Sequence, residues 1–357
     1  MSYYIGCYDV LSYKRSFTIF LRSEGIYMNK ITGFWLSPSY KCNNRCRWCY
    51  VGGLLAEAPE ASPEEVRGYI DKMVMAGAKR CILVGGEPSI YPYILDVIAY
   101  ATSNGVDVRM MSNGRKLCSY DFVLELKKAG LNYCSVSLEG PEEIHDKTTR
   151  VVGSFKESLQ GIINCQRAGL QVNSITTVSE INSNSLKDLL ACLQEINLRR
   201  SVFNMCSSQP SGYKGQNMAI IDLVDYARIV EQIGLEYDFV CFYALVPLCL
   251  FDQKKLKKLL ELGRLRVSCS LFGAAVAVDP KGFLLPCTHM AGLNYGNLNE
   301  PEAIKKLLTQ KEEEIKILST YAPSSKCVDC ALWNTCHGGC NLIWFSRCAE
   351  DYIPGIS

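Results

Sequence analysis

The chain has 357 residues, 48% of them hydrophobic and 21% charged, and carries a formal net charge of +2. That length accommodates one large domain and a smaller one, and a near-neutral balance without a basic block argues against nucleic acid as the main partner. No run of 18 apolar residues spans a membrane, and the polar, aromatic start Met1 to Val10 has no signal-peptide core, so a cytoplasmic protein is expected. Nineteen cysteines would mean disulfides in a small secreted chain; at this length, with an odd count and no export signal, they point to thiolates that ligate metal. Only three histidines occur, His145, His289 and His337, too few for a His-based metal centre.

In chain order, residues 1–30 read as an extension with two strand-like runs, Ser16–Leu21 and Gly25–Lys30, joined by Arg22-Ser23-Glu24. From Ile31 to Gly234 short apolar strands alternate with amphipathic helices. The strands are expected at Gly33–Ser37, Arg80–Val84, Asp107–Met111, Tyr133–Leu138, Gln171–Val178 and Ser201–Met205. The helices are expected at Ser62–Ala76, Tyr91–Asn104, Tyr120–Ala129, Ser154–Ala168, Ser183–Ile196 and Asp222–Gly234. Ser62-Pro63-Glu64-Glu65 is a strong helix start, with an N-cap, proline at N1 and acidic residues at the positive dipole end. Gly105, Gly130 and Gly169 stand where helix C-caps are expected. Six βα units imply a parallel sheet, hence an α/β fold. Residues 235–268 read as a connector with a Lys-rich helix, Gln253–Leu262, whose charges form a solvated face; a cysteine-rich segment, 269–350, and a tail, 351–357, complete the chain.

Between the first strand and the first helix lies Lys41-Cys42-Asn43-Asn44-Arg45-Cys46-Arg47-Trp48-Cys49-Tyr50. This CxxxCxxC spacing supplies three thiolates. A four-iron cubane takes four ligands, usually cysteine, so three leave one iron open for chemistry. A structural zinc site would instead be closed by four Cys or His, and the next cysteine is Cys81. After the second strand comes Gly85-Gly86-Glu87-Pro88, about 35 residues beyond the cysteines; glycines there let backbone approach a ligand closely. Together these motifs resemble the radical S-adenosylmethionine (SAM) family. The resemblance implies a partial (β/α)6 TIM-like barrel with its site at the C-terminal ends of the strands. It implies a SAM-binding four-iron cluster on Cys42, Cys46 and Cys49, with Gly85, Gly86, Glu87 and Pro88 along the SAM methionine moiety. SAM cleavage in that family yields a 5′-deoxyadenosyl radical that abstracts hydrogen from a substrate. Ser137, at the end of the fourth strand, and Arg150 match the family's ribose and carboxylate positions, an ion contact in the latter case. Ser112 at the end of the third strand is similarly placed, and Tyr50 stands where the family has an aromatic near the adenine, with a core position as the alternative.

The C-terminal cysteines run Cys269-x12-Gly282-x4-Cys287, then Cys327-x2-Cys330-x5-Cys336-x3-Cys340-x7-Cys348. The pattern resembles that of the SPASM domain, a small Cys-rich α+β unit holding two auxiliary four-iron clusters. Carried over, one cluster takes Cys327, Cys330, Cys336 and Cys348, and the other takes Cys269, Cys287 and Cys340. The second then lacks a fourth ligand, for which Cys249 and Cys241 are candidates, an open iron being the alternative. The remaining cysteines, Cys7, Cys81, Cys118, Cys134, Cys165, Cys192 and Cys206, are expected mainly as small core residues. The resemblance covers about residues 31 to 350 and implies an oxygen-sensitive enzyme with SAM and three four-iron clusters. The first expectation is a maturase of a ribosomally made peptide, forming a crosslink or inverting a stereocentre. Its partners would be that peptide, a separate leader-binding protein, and a flavodoxin or ferredoxin as electron donor, without nucleic acid or membrane. Tetrapyrrole or quinone-cofactor biosynthesis is an alternative. Anaerobic sulfatase maturation is another, although that group carries an Asp directly after the cysteine matching Cys287, where this chain has Thr288 and His289. A non-catalytic iron–sulfur electron carrier is the reading from a different class, and SAM cleavage under dithionite separates it from the rest.

Overall fold

The structure, a computed structural model, describes residues 31–206, 219–267, 269, 275–290, 294–320 and 322–345. The expected extension 1–30, Cys7, Cys348 and the tail lie outside the described residues.

The six expected barrel strands form where the apolar runs place them: β1 Gly33–Leu36, β2 Arg80–Leu83, β3 Asp107–Ser112, β4 Tyr133–Ser137, β5 Gln171–Val178 and β6 Ser201–Met205. They pair in order and in parallel, and each crossover carries a helix on the outer face. These helices are α1 Pro63–Met75, α2 Ile94–Ser103, α3 Tyr120–Ala129, α5 Ser154–Arg167 and α6 Leu186–Glu195, and β6 is followed by α7 Leu223–Glu236. The local chemistry agrees with the elements. In α1, Ser62 accepts from the Glu65 N–H at 3.2 Å while Glu65 accepts from the Ser62 N–H at 2.7 Å, a complete capping box with Pro63 at N1. Gly105, Gly130 and Gly169 adopt φ of +74°, +107° and +67°, the left-handed geometry that ends a helix without a Cβ penalty.

Strand alternation sorts the barrel. Phe34, Leu36, Cys81, Leu83, Val108, Met110, Cys134 and Val136 are buried against the helices. The alternate positions, such as Trp35, Ile82, Arg109, Tyr133 and Ser137, line the inner face and are half-buried, because a sheet that does not close leaves that face partly open. Cys81, Cys134, Cys165 and Cys206 are buried, whereas Cys118 is exposed and Cys192 half-buried.

Three features differ from the expectation. The polar segment 142–149 forms a helix, α4 Glu142–Thr149. The connector adds two parallel strands, β7 Val240–Tyr243 and β8 Leu265–Arg266, with α8 Gln253–Glu261 between them. At the opposite edge β9 Ala275–Val278 pairs in parallel with β1 and antiparallel with β10 Leu284–Leu285. The sheet therefore has ten strands in the order β10-β9-β1-β2-β3-β4-β5-β6-β7-β8. The cysteine-rich segment is thus hydrogen-bonded to the first barrel strand, and contributes the helices α9 Ala303–Thr320 and α10 Trp333–Cys336. Among the described residues no helix is long and apolar enough to cross a membrane.

Candidate active site at the barrel mouth

The cysteine loop leaves β1 and is laid across the end of β2. The Gly86 N–H donates to the Ser39 carbonyl at 3.0 Å and the Glu87 N–H to the Lys41 carbonyl at 2.8 Å. A Cβ at Gly86 would stand 2.2 Å from the Lys41 carbonyl oxygen, and Gly85 has φ +128°. The two glycines are therefore required by the close approach of the cysteine loop itself. Other strand ends secure the rest of the loop. Arg115 donates to the Asn43 carbonyl at 2.7 Å, and the Asn113 amide to Asn43 Oδ1 at 2.6 Å. The N–H groups of Arg45 and Arg47 donate to the carbonyls of Thr149 and Thr148 at the end of α4, at 3.0 and 3.1 Å.

Cys42, Cys46 and Cys49 are half-buried and lie within electrostatic reach of one another. Burial pushes the Cys42 thiol up to about 12 and the Cys49 thiol up to about 11, and raises Cys46 as well. Three protonated thiols in one loop are receptive to a metal that displaces their protons. A zinc ion bound at about 2.3 Å would draw its thiolates to within about 4 Å of one another. A closed zinc site takes four Cys or His ligands, and this loop offers three thiols, a donor set that fits an iron–sulfur cluster with one open iron.

Two buried carboxyl groups flank the loop. Glu87, 1% exposed, accepts from Ser112 Oγ at 2.7 Å and from the N–H groups of Asn113 and Ser89 at 2.6 and 3.0 Å. Burial raises its pKa while these bonds oppose the rise. Glu87 thus clamps the end of β2 to the end of β3, beside Cys42. The Ser112 hydroxyl is committed to that clamp and to the Gly114 N–H at 2.9 Å, and Pro88 is buried at the start of a 3-10 turn, Pro88–Ile90. The second carboxyl is Glu139, two residues beyond β4 and near Cys46, which burial pushes up to about 8. It accepts from the Thr177 N–H at 2.8 Å. Sequence reasoning missed Glu139; its place after a strand end, like that of Glu87, is the signal that finds it.

Of the other expected contacts, Ser137 is half-buried at the end of β4 on the inner face. Arg150 is exposed at the left-handed C-cap of α4, φ +59°, next to the Thr149 carbonyl that holds the cysteine loop. It lines an open concavity of about 660 Å³ with Glu142, Glu143, Asp146 and Lys147. The Tyr50 hydroxyl donates to the Gly85 carbonyl at 3.0 Å, and its ring lies 4.9 Å from that of His289. Cys287 Sγ is 3.6 Å from His289 Nδ1. The Tyr50–His289 contact therefore joins the barrel's cysteine loop to the first C-terminal cysteine loop.

His145, 1% exposed, is a structural histidine: its Nδ1 accepts from the Glu139 N–H at 3.0 Å. Burial depresses its pKa from 6.5 to about 4, partly opposed by Asp146. For a histidine lowered in the folded state, the stabilisation is full above about 6.5 and is lost as pH falls from there toward 4. Between pH 7 and pH 5 the wild type should lose about 2 kcal/mol more than His145→Asn, which keeps an acceptor and removes the titration. Urea unfolding at the two pH values measures this; equal losses refute it.

The C-terminal cysteines fall into two groups. Cys269, Cys287 and Cys340 pack around Met290 and Leu342. Cys327 packs with Cys249, Trp333 and Trp344, and Cys330 and Cys336 lie in reach of the same Cys249 thiol. The candidates for a fourth ligand of the Cys269 group are thus placed elsewhere: Cys249 is in the other group, and Cys241 is buried on β7, its thiol directed to the Phe242 carbonyl at 3.9 Å.

Comparisons with known proteins agree with this geometry. Residues 36–193 match the model of the Radical SAM superfamily. The chain is 32% identical to the AdoMet-dependent heme synthase of Nitratidesulfovibrio vulgaris over 201 residues, 56% of this chain and 53% of that protein. It is 23% identical to the serine-type anaerobic sulfatase-maturating enzyme of Bacteroides thetaiotaomicron, over 88% of this chain and 83% of the relative. The fold matches Streptococcus suis SuiB bound to its precursor peptide SuiA with a TM-score of 0.69 at 16% identity, covering 92% of this chain and 76% of SuiB. The chain spans about half the length of the first curated relatives it matches. The cysteine loop, the glycine clamp and the parallel strands β2 to β5 lie within residues 36–193, which thus form a radical SAM domain, and the fold over most of the chain is like that of SuiB.

Proposed function

We propose that this chain is a maturase that modifies a ribosomally made peptide by crosslinking or epimerisation. The observation that carries the reading is the contact of Tyr50 with His289, which brings a second cysteine-bearing loop to the mouth of the radical SAM barrel. Similarity over most of the chain supports it: the sulfatase-maturating enzyme aligns over 88% of this chain, the heme synthase over 56%. The higher identity to heme synthases favours tetrapyrrole chemistry as the second reading.

In the proposed site Cys42, Cys46 and Cys49 hold a four-iron cluster, and the cysteine groups Cys269, Cys287, Cys340 and Cys327, Cys330, Cys336, Cys348 hold two more. SAM bound at the open iron supplies, on reductive cleavage, hydrogen-atom abstraction from an unactivated C–H bond. The backbone of Gly85 and Gly86, with Glu87 and Pro88 fixing its path, lines the methionine end; Ser137 meets the ribose, and Tyr50 covers the adenine side. Ser112 acts through Glu87. The proposed division is a barrel at 31–234 and an auxiliary unit at 269–350, whose His289 against Tyr50 would help to keep water from the site. Arg150 pairs with the SAM carboxylate. Arg150→Ala should weaken SAM binding at least tenfold, the loss of one charge-assisted contact of about 1.5–3 kcal/mol, with the iron content unchanged; an unchanged affinity makes Arg150 an outer-surface helix cap.

Anaerobic protein given SAM, dithionite and a peptide encoded beside its gene should yield methionine, 5′-deoxyadenosine and a modified peptide. A crosslink shows as the loss of two hydrogens, an epimer as uptake of solvent deuterium. Turnover of an iron porphyrin with no change in the peptide selects the second reading.

A further inference from the structure

We propose that Arg200 and Arg266, on the inner face of the barrel at β6 and β8, bind a carboxylate of the substrate. The proposal rests on the maturase reading and deepens it: the carboxylate belongs to an acidic side chain or the C-terminus of the peptide. Under the second reading a tetrapyrrole propionate offers the same chemistry.

Strand register places both side chains. Paired residues of a parallel sheet point to one face, and the face repeats every second residue. Ser137 of β4, on the inner face, pairs with Ile175 of β5, Ile175 with Val202 of β6, and Val202 with Cys241 of β7. Arg200 stands two residues before Val202, and its carbonyl accepts from the Ser174 N–H at 3.3 Å, so it continues the ladder and shares that face. Tyr243 stands two residues after Cys241 and pairs with Arg266 of β8. Arg200, Cys241, Tyr243 and Arg266 therefore share one wall of the open barrel. Arg200 lies against the Cys241 thiol and within electrostatic reach of Arg266 and Tyr243, and the side chains of Tyr243 and Arg266 are hydrogen-bonded.

The charge of this wall calls for an anion. A guanidinium stays protonated in a protein, and Arg200 and Arg266 are both half-buried, so their charge is held at a cost unless it is paired. On β2 and β3 the fold itself supplies the partner: Arg80 and Arg109 both bond Asp107, at 3.0 and 2.9 Å. Among the described residues no carboxylate pairs with Arg200, whose neighbours are a thiol, a phenol and a second guanidinium. Burial depresses the Arg200 pKa, the Cys241 thiol opposes this, and the Arg266 charge adds to it. A carboxylate between the two forks relieves the repulsion and is bonded by both.

The wall also stands where a substrate has to lie. Cys42, Glu87 and Ser137 are carried by β1, β2, β4 and the loops after them, which leaves β6 to β8 to a second molecule. Arg266 runs directly toward Cys269, the first of the C-terminal cysteine group. An anion fixed on this wall holds the rest of the substrate in register with the SAM side, so that binding far from the reacting C–H bond orients it.

The test uses full-length protein reconstituted anaerobically with iron and sulfide and given SAM, dithionite and the peptide encoded beside its gene. Arg200→Gln and Arg266→Gln should each raise the KM for the peptide at least about tenfold, with iron content and SAM affinity as in the wild type. Arg200→Lys, which keeps the charge and loses the fork, should fall between. Wild-type protein is also given copies of the peptide with each carboxylate amidated in turn. One copy should show the same rise in KM, and Arg200→Gln should add nothing to it; the wild-type half of this arm stands even where a variant fails to fold. An iron porphyrin and its propionate methyl ester form a third arm. Porphyrin turnover that is lost on esterification and weakened by the arginine substitutions names a propionate as the anion, keeps the site and ends the peptide reading. Unchanged KM in both glutamine variants, with every amidated peptide modified normally, overturns the inference and leaves the maturase reading standing. A fall in SAM affinity with unchanged KM assigns the two arginines to the cofactor and overturns it as well.

Discussion

Replacing Cys42, Cys46 and Cys49 together with Ala will remove about four irons from a reconstituted protein that otherwise holds about 12, and will abolish SAM cleavage. The loop's only thiols are these three, and its conformation is imposed by neighbours that the substitution leaves in place: the Gly86 and Glu87 amides, Arg115 and the α4 carbonyls. The variant should therefore fold with its barrel unchanged by circular dichroism. Iron analysis and release of 5′-deoxyadenosine under dithionite measure the two losses. Residual SAM cleavage would place the chemistry elsewhere. A wild type that binds the full iron and never cleaves SAM would make the chain an electron carrier.

Replacing Cys327 and Cys330 with Ala will abolish peptide modification and spare much of the SAM cleavage that occurs without peptide. Cys327 packs against Cys249, Trp333 and Trp344, and no described contact of this group reaches the Cys42–Cys49 loop. Crosslinking removes two electrons from the peptide: one leaves with the abstracted hydrogen atom, and the other needs an acceptor, a role that the iron–sulfur clusters proposed for the C-terminal cysteine groups would fill. Epimerisation is redox-neutral and needs a hydrogen donor instead. The comparison is made on soluble variant that keeps its barrel cluster, since a lost metal site also costs folding energy. Wild-type modification by that protein refutes an electron-transfer role. Complete loss of SAM cleavage would show that the two halves are coupled, with the Tyr50–His289 contact as the first place to look.

The barrel was legible in the sequence because its signals are local. Strands β5 and β6 occur at the expected residues, Gln171–Val178 and Ser201–Met205, and the Ser62 capping box forms as its spacing dictates. Each of these depends on side-chain alternation or a cap within a few residues. The elements that were not anticipated lack such signals: α4 is short and polar, and β8 has two residues, formed only because β7 offers it an edge.

The same division runs through the site. The CxxxCxxC spacing and the glycines at 85 and 86 announce a cofactor loop and a close backbone approach, because ligand count and Cβ exclusion are properties of the residues themselves. Sequence spacing alone left Ser112 as a cofactor contact, Glu139 without a role and Cys249 as one candidate, beside Cys241 or an open iron, for the Cys269 group. Packing settles where each of them lies: Ser112 beneath Glu87, Glu139 beside Cys46, Cys249 upon Cys327. Residue types and short spacings determine which chemistry the chain can support; which distant side chains meet is decided by the sheet order and the loops it brings together, since that convergence has no local signature for a sequence to carry.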